Sequence, residues 1–331
     1  MKLKDIGEFG FIDRIKHDCV IRDKDVIRGI GDDCCVFHTS RNTATLLTTD
    51  MLVEGVHFLL PTIPPHQLGR KSLAVNLSDI AAMGGTPKEA IISIAIPDTI
   101  SLADLDALYA GMKSMAKEFM VNLLGGDTTS SPERLVISIA VVGEAVEDEI
   151  LFRSGARAGQ VIFLTGPVGS SAAGLDIILK AREVRGWSEL IDAHNDPYPA
   201  VKAGRIIAKS KLASALIDVS DGVAADLGHV CAESNVGAIL ESKAIPNTEQ
   251  FRRYCETFSE EPTHMSLHMG EDYVLLGTVP AEAAKDLRES LESNGCQFYP
   301  IGHTVKETGL QLKAEDGSLK MIDTRGWNHF K

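Results

Sequence analysis

The sequence predicts a two-domain protein of mixed α/β (α+β) class, on three observations. Strand-like and helix-like segments alternate along the chain, with no repeat period and no low-complexity tract, which is the pattern of α/β and α+β folds. At roughly 150 residues per domain, a chain of 331 residues makes about two domains. The acidic stretch Glu144–Glu149 reads as a solvated linker and divides the chain into residues 1–145 and 146–331.

The elements follow in order. Thr45–Thr49 is a short apolar run that ends at Asp50 and reads as a buried strand. From Gln67 to Met83 the apolar positions Leu73, Leu77, Ile80 and Ala81 share one helical face. Glu89–Ile96 alternates and stops at Pro97, as a strand does. Ser101 and Asp104 form a helix start signal for a helix from Leu102 to about Met120, with Leu105, Leu108, Met112, Ala116 and Phe119 at helical spacing. Strands are expected at Val121–Leu124 and Leu135–Val142. In the second half Val161–Thr165 reads as a strand leading through a Gly/Ser turn into a helix that ends near Ala181. The polar segment Arg182–Pro199 reads as a surface excursion. Ala215–Val219 is expected to be a strand and Gly222–Glu233 a helix. Tyr273–Thr278, Ala281–Ser293 and Gln297–Ile301 then give strand, helix, strand.

Composition narrows the function. With 33 Lys+Arg against 46 Asp+Glu the formal charge is −13, which argues against a nucleic-acid or anionic-membrane surface, since both need clustered cations. No apolar run approaches the ~20 residues of a membrane span, and the charged N-terminus does not read as a signal peptide. The cysteines at 19, 34, 35, 231, 255 and 296 contain no Cys-x-x-Cys pair. Reduced thiols in a cytoplasmic protein are therefore expected.

The informative feature is where the aspartates fall. Asp33, Asp50, Asp79, Asp127, Asp218 and Asp221 occupy five places where an apolar segment meets a glycine or polar turn. Each alone reads most simply as a cap or turn residue. Together they suggest one crevice, because strand ends of open sheets converge on a ligand site. Oxygen ligands without histidine or cysteine beside them point to Mg²⁺ or Ca²⁺. The usual phosphate devices are missing: there is no G-x-x-x-x-G-K-[ST] and no complete dinucleotide fingerprint. Gly166-Pro-Val-Gly-Ser-Ser could offer backbone N–H groups to a phosphate or simply turn the chain. His57 and Arg153 stand near these motifs, and either could serve structure alone.

Taken as strings, the motifs resemble one family. Gly29-Ile-Gly-Asp-Asp-Cys34, Thr48-Thr-Asp-Met-Leu-Val-Glu-Gly-Val-His-Phe58 and Ala74-Val-Asn-Leu-Ser-Asp-Ile-Ala-Ala-Met-Gly84 are similar to those of thiamine-monophosphate kinases. So are Leu124-Gly-Gly-Asp-Thr-Thr129, Arg153-Ser-Gly155, Asp218-Val-Ser-Asp-Gly222, Gly270-Glu-Asp-Tyr273 and Gly326-Trp-Asn-His-Phe330, in order over nearly the whole chain. The resemblance implies a two-domain fold shared with aminoimidazole ribonucleotide synthetase, whose N-terminal domain pairs with a copy to form a homodimer. It implies transfer of a phosphoryl group from ATP to thiamine monophosphate, the last step of thiamine diphosphate biosynthesis, with Mg²⁺ as cofactor.

By the same resemblance, Asp33, Thr48, Thr49, Asp50, Asp79, Asp127, Asp218 and Asp221 are expected on the Mg²⁺ and phosphate side, with Asp50, Asp218 and Asp221 essential to the transfer. Tyr109, Gly126, Asp127, Arg153 and Ser220 are expected to contact ATP. His57, Glu271 and Trp327 are expected to contact the thiamine moiety. Two departures appear: Met269 stands where family members often have glycine, and Trp327 where many have tyrosine, which keeps an aromatic able to stack on a cationic ring.

The chemistry is consistent with this expectation. A phosphate monoester acceptor is already ionised near neutral pH, so the obstacle is repulsion between two anions, which metal-bound charge relieves. Rival readings are another ATP-dependent synthetase of the superfamily, a hydrogenase-maturation relative, or a non-catalytic binder of thiamine phosphates. The two relatives that carry a reactive cysteine near a terminus fit less well, because the first cysteine here is Cys19 and the last residues are Asn-His-Phe-Lys331.

Overall fold

A computed structural model of the protein describes residues 26–28, 32–38 and 43–324. The first half forms a six-stranded sheet of β1 (Val26–Arg28), β2 (Cys35–His38), β3 (Thr43–Val53), β4 (Thr86–Ile96), β5 (Asn122–Ser130) and β6 (Val136–Val146), in the order β1-β2-β3-β6-β4-β5. Neighbours are antiparallel except β4 and β5. Strand β6 alternates buried and half-buried positions along its length, because one face of the sheet is covered and the other is not. The covering helices are α1 (Pro65–Ala82) and α2 (Leu102–Glu118). Leu73, Leu77 and Ile80 meet Ile92, Ile137 and Ile139 of the sheet in one core.

Helix α1 is buried nearly all round. It can be so because small residues let backbones approach: a Cβ added at Gly69 would lie 1.9 Å from the carbonyl oxygen of Leu108 on α2, and one at Gly111 would lie 1.9 Å from that of His66. Helix α2 begins as its sequence signals, with Ser101 Oγ accepting from Asp104 N at 3.1 Å.

The second half forms a seven-stranded sheet of β7 (Val161–Leu164), β8 (Ala215–Asp218), β9 (Gly237–Glu241), β10 (Leu275–Val279), β11 (Tyr299–Val305), β12 (Gly309–Lys313) and β13 (Leu319–Met321). Its order is β13-β12-β9-β11-β7-β10-β8, antiparallel except for β12 beside β9. The helices around it are α3 (Ser170–Leu179), α4 (Ser188–Asn195), α5 (Val201–Ser210), α6 (Val223–Ser234), α7 (Glu249–Phe258), α8 (Pro262–His268) and α9 (Ala284–Glu292). Leu216 of β8 and Ile207 of α5 share the core that holds α1, so the halves are packed together through that helix. No described helix is long and apolar enough to cross a membrane.

Several expectations need correction. Strand β3 does not stop at Asp50: all eleven of its residues pair with β6, whose length carries it to Val53. Residues 144–146 of the expected linker are the end of β6, and Glu149 is paired with Arg205 at 2.9 Å. The excursion at 182–199 contains α4, whose Leu190 is buried beside Trp187 and Tyr254. Apolar residues at 187, 190 and 191 give that polar segment one sticky face.

Candidate functional site

A cleft of about 1330 Å³ opens between β3, α1, α3, the end of β8 and the loop before β10. It is organised by the polar residues of α1. A helix buried on all sides must satisfy each polar side chain it carries, and α1 does so by reaching the strands and loops that carry the cleft. Asn76 Oδ1 accepts from Asp50 N at 2.9 Å, while its Nδ2 donates to Ser72 O. Ser78 Oγ donates to Asp218 Oδ2 at 2.6 Å. Asp79 Oδ2 accepts from Thr48 Oγ1. Lys71, with a side chain only 1% exposed, donates to His194 O at 2.9 Å and to Glu271 Oε2 at 3.1 Å.

Within the cleft, carboxylate oxygens of Asp33, Asp79 and Asp218 lie within 4.8 Å of one another. Burial, then repulsion from Asp33, raises Asp218 above the ordinary carboxylate range. Burial, then Asp50 and Asp218, raises Asp79 well above it. Asp50 is raised by burial and by Asp33. Arg153 is the counter-charge here, donating to both oxygens of Asp33 at 2.7 and 3.2 Å. A single guanidinium leaves this many crowded acids short of positive charge, and hard oxygen donors at such spacing suit a divalent cation of the Mg²⁺ type. Asp221 stands beside them on the cleft wall, its N–H held by Asp226 Oδ2 at 3.2 Å.

The rest of the lining is partly apolar and partly polar. Ala172, Leu175 and Ile178 of α3 and Val56, Phe58 and Leu59 of the loop after β3 all belong to the cleft lining. His57 also lines this part; its Nδ1 accepts from Val53 N at 3.0 Å, which leaves the proton on Nε2. Glu271 lines it with φ +62°, its N–H bonded to Ser220 O at 2.8 Å. Gly270 makes that approach possible, since a Cβ there would lie 1.9 Å from Ser220 O.

Of the residues singled out from sequence, the structure brings together Asp33, Thr48, Thr49, Asp50, Asp79, Asp218 and Asp221. The same cleft holds His57, Arg153, Ser220 and Glu271. Asp50 lies inside β3 and not at its end, Asp79 lies in the last turn of the helix expected over 67–83, and Asp218 ends β8. Tyr109, Gly126 and Asp127 do not line the cleft of this chain. Tyr109 is half-buried on α2. Gly126 and Asp127 lie on β5, the uncovered edge of the first sheet. Asp127 shares a ladder row with Ser93, Ser138 and Met51, and so lies on the opposite face of the sheet from Asp50. Trp327 lies outside the described residues, as do Gly29 to Gly31 of the first motif.

Residues 31–145 match the family model of the AIR synthase related protein, N-terminal domain, and residues 157–315 that of its C-terminal domain. A thiamine-monophosphate kinase of Bacillus subtilis is 35% identical over 92% of this chain and 93% of its own. That of Escherichia coli K12 is 35% identical over 98% of each. The chain belongs to the thiamine-monophosphate kinase family. Among solved structures, AaThiL complexed with AMPPCP and TMP superposes with a TM-score of 0.87 at 34% identity, covering 99% of both chains. The Aquifex aeolicus thiamine monophosphate kinase gives a TM-score of 0.81 at 32% identity, covering 97% of this chain and 99% of that one. The hydrogenase maturation protein HypE of E. coli, at 21% identity and a TM-score of 0.72, shares the fold alone.

Set beside that family's motifs, four side chains that sequence reasoning gave no role now have one place. Lys71, Asn76 and Ser78 support the cleft from α1, and Asp226 supports it from α6. A signal for the first was present: Lys71, next to Arg70, opens an apolar helical run eight residues before Asp79.

Proposed function

We propose that this protein transfers the γ-phosphoryl group of ATP to thiamine monophosphate, giving ADP and thiamine diphosphate. The observation that carries the reading is the convergence of Asp33, Asp79 and Asp218 within 4.8 Å in a cleft that also has apolar lining. The acids suit metal-bridged phosphates, and the apolar lining suits a flat heteroaromatic ring. AaThiL, of the same fold and 34% identical, has been solved with an ATP analogue and TMP.

In this reading Asp33, Asp79 and Asp218, with Asp50, Asp221, Thr48 and Thr49 around them, hold Mg²⁺. Bound there, Mg²⁺ supplies charge that neutralises donor and acceptor phosphates and aligns them for in-line displacement. The protein's own share is placement. Asn76 and Ser78 fix the backbone at Asp50 and the carboxylate of Asp218. Arg153, now on Asp33, is within reach of nucleotide phosphate, and Ser220 stands beside it on the wall. His57 and Glu271, with Trp327 from the C-terminal segment, receive the thiamine moiety. No side chain has to act as a strong base, because the acceptor phosphate arrives ionised.

We further infer a homodimer formed by the first sheet. Its outer face exposes Met51, Ile91 and Leu124, at 56%, 53% and 65%, and β5 leaves an open edge that soluble proteins otherwise protect. Asp127 and Gly126 on that edge then serve the nucleotide side of the partner's cleft, and Tyr109 follows from the adjoining α2. Residues 1–145 are thus the nucleotide, metal and dimer unit, and 146–331 the second unit. A cytoplasmic setting agrees with five described cysteines that form no disulfide.

An ADP-release assay with thiamine monophosphate, with and without Mg²⁺, tests the function. Turnover that needs both is expected. Tight binding of thiamine monophosphate without ADP release would leave a binding protein instead.

A further inference from the structure

Glu271 is held in an unusual way. Its backbone sits at φ +62°, a left-handed conformation that costs a glutamate free energy and persists where surrounding structure enforces it. Its side chain is 27% exposed toward the cleft. Oε2 accepts from the Lys71 ammonium at 3.1 Å, and His194 Nδ1 lies 3.0 Å from the same oxygen. Both groups come from inside the protein. Lys71 is 1% exposed and further anchored on His194 O at 2.9 Å, and His194 is buried with Ser171 Oγ at 3.1 Å from the same Nδ1.

Burial, then the Lys71 charge, lowers the pKa of His194. Burial alone would raise Glu271, but Lys71 and then His194 hold it well below the ordinary carboxylate range. Among the described residues Oε1 has no partner. Burying a lysine to fix one oxygen of a half-exposed glutamate is costly unless the other oxygen has work to do.

We propose that Lys71 and His194 are positioning residues: they occupy Oε2 of Glu271 and so make Oε1 a fixed acceptor that selects a ligand bringing an N–H donor into the cleft. This rests on the reading of the cleft as a thiamine monophosphate site and deepens it. The N–H donor of thiamine monophosphate is the exocyclic amine of its pyrimidine. Glu271 therefore reads that amine, with its charge already balanced by Lys71, so discrimination comes from direction and not from net charge. A substrate analogue with oxygen in place of the amine presents an acceptor to an acceptor.

The test measures KM for thiamine monophosphate, for ATP and for oxythiamine monophosphate in the wild type, Lys71→Met, Lys71→Arg, Glu271→Gln and the double variant Lys71→Met/Glu271→Gln. Wild-type turnover of thiamine monophosphate is the control for the reading beneath, and its absence would overturn that reading. Expected are a rise of about tenfold or more in KM for thiamine monophosphate in Lys71→Met and in Glu271→Gln, the size of one misplaced charged hydrogen bond. KM for ATP stays within about twofold, and Lys71→Arg recovers part of the loss. The double variant is no worse than Glu271→Gln alone, and preference over oxythiamine monophosphate falls in step. With turnover intact, an unchanged KM for thiamine monophosphate in Lys71→Met, or effects that multiply in the double variant, overturns the proposal. So does a parallel rise in both KM values. If Lys71→Met does not fold because it strands the Glu271 anion, the double variant removes both charges with matched shapes, and an unchanged preference for thiamine monophosphate there overturns the proposal as well.

Discussion

Ser78 donates a hydrogen bond to Asp218 at 2.6 Å although 140 positions of chain separate them. Both are buried, and Asp218 is one of the three acids that converge. The bond fixes which oxygen of Asp218 remains for a cation, as an outer partner does for a metal ligand. Ser78→Ala is therefore expected to raise the Mg²⁺ concentration for half-maximal activity about tenfold and to leave KM for thiamine monophosphate little changed. A Mg²⁺ titration of ADP release measures both, and an unaltered midpoint would detach Ser78 from the metal side.

Asp50 and Asp221 approach the same acids from different elements, Asp50 from β3 and Asp221 from the turn after β8. Replacing either with asparagine keeps the shape and removes the charge. Turnover at saturating Mg²⁺ should fall by at least about a hundredfold in each variant. A variant that keeps most of its kcat is not a ligand.

The sequence made α1, α2 and most strand cores legible, because their apolar residues recur at one period and their ends carry clear signals: Pro97 after β4 and Ser101 before α2. It also singled out acids of which Asp33, Asp50, Asp79, Asp218 and Asp221 line one cleft, since aspartates in apolar surroundings have few structural uses. It misjudged Asp50, which lies inside a strand whose extent is set by pairing to β6, whereas Asp79 lies in the helix expected over 67–83. Strands β1, β2, β9, β12 and β13 and helices α5, α7 and α8 went unassigned, although Thr248 before α7 and Pro262 at the start of α8 were readable start signals. The contacts that support the site, Lys71 to Glu271 and Ser78 to Asp218, span 200 and 140 positions, so no local pattern announces them. The opposite facing of Asp127 needed the register of three strand pairs.

Asp272 offers a pH test away from the converging acids. Its carboxylate accepts from Gly169 N at 3.0 and 3.1 Å ahead of α3, and burial pushes its pKa up from 3.8 to about 7. The folded protein therefore holds a proton that the unfolded chain has lost between pH 3.8 and about 7. Its contribution is complete below the lower value and disappears as pH rises through the upper one. Measured against Asp272→Asn, wild-type stability should decline between pH 4.5 and 8 by on the order of 2 kcal/mol. Denaturant unfolding of both proteins at several pH values checks this; parallel curves would show that Asp272 titrates normally.

Asp127 and Asp50 face opposite sides of one sheet, with three steps between β5 and β3 or about 14 Å at the usual strand spacing. If both serve one reaction, they do so across two chains. In a mixed dimer of an Asp50→Asn chain and an Asp127→Asn chain, one cleft then carries both substitutions and the other carries neither. Each variant alone should be nearly inactive. Equal amounts, unfolded together and refolded, should give half mixed dimers with one good cleft in two, hence roughly a quarter of wild-type activity per protomer. Mixing without exchange of subunits should restore nothing. If refolded mixtures stay as inactive as the separate variants while mixed dimers are shown to form, Asp127 does not act on the partner's cleft, and the exposed edge of β5 has some other use.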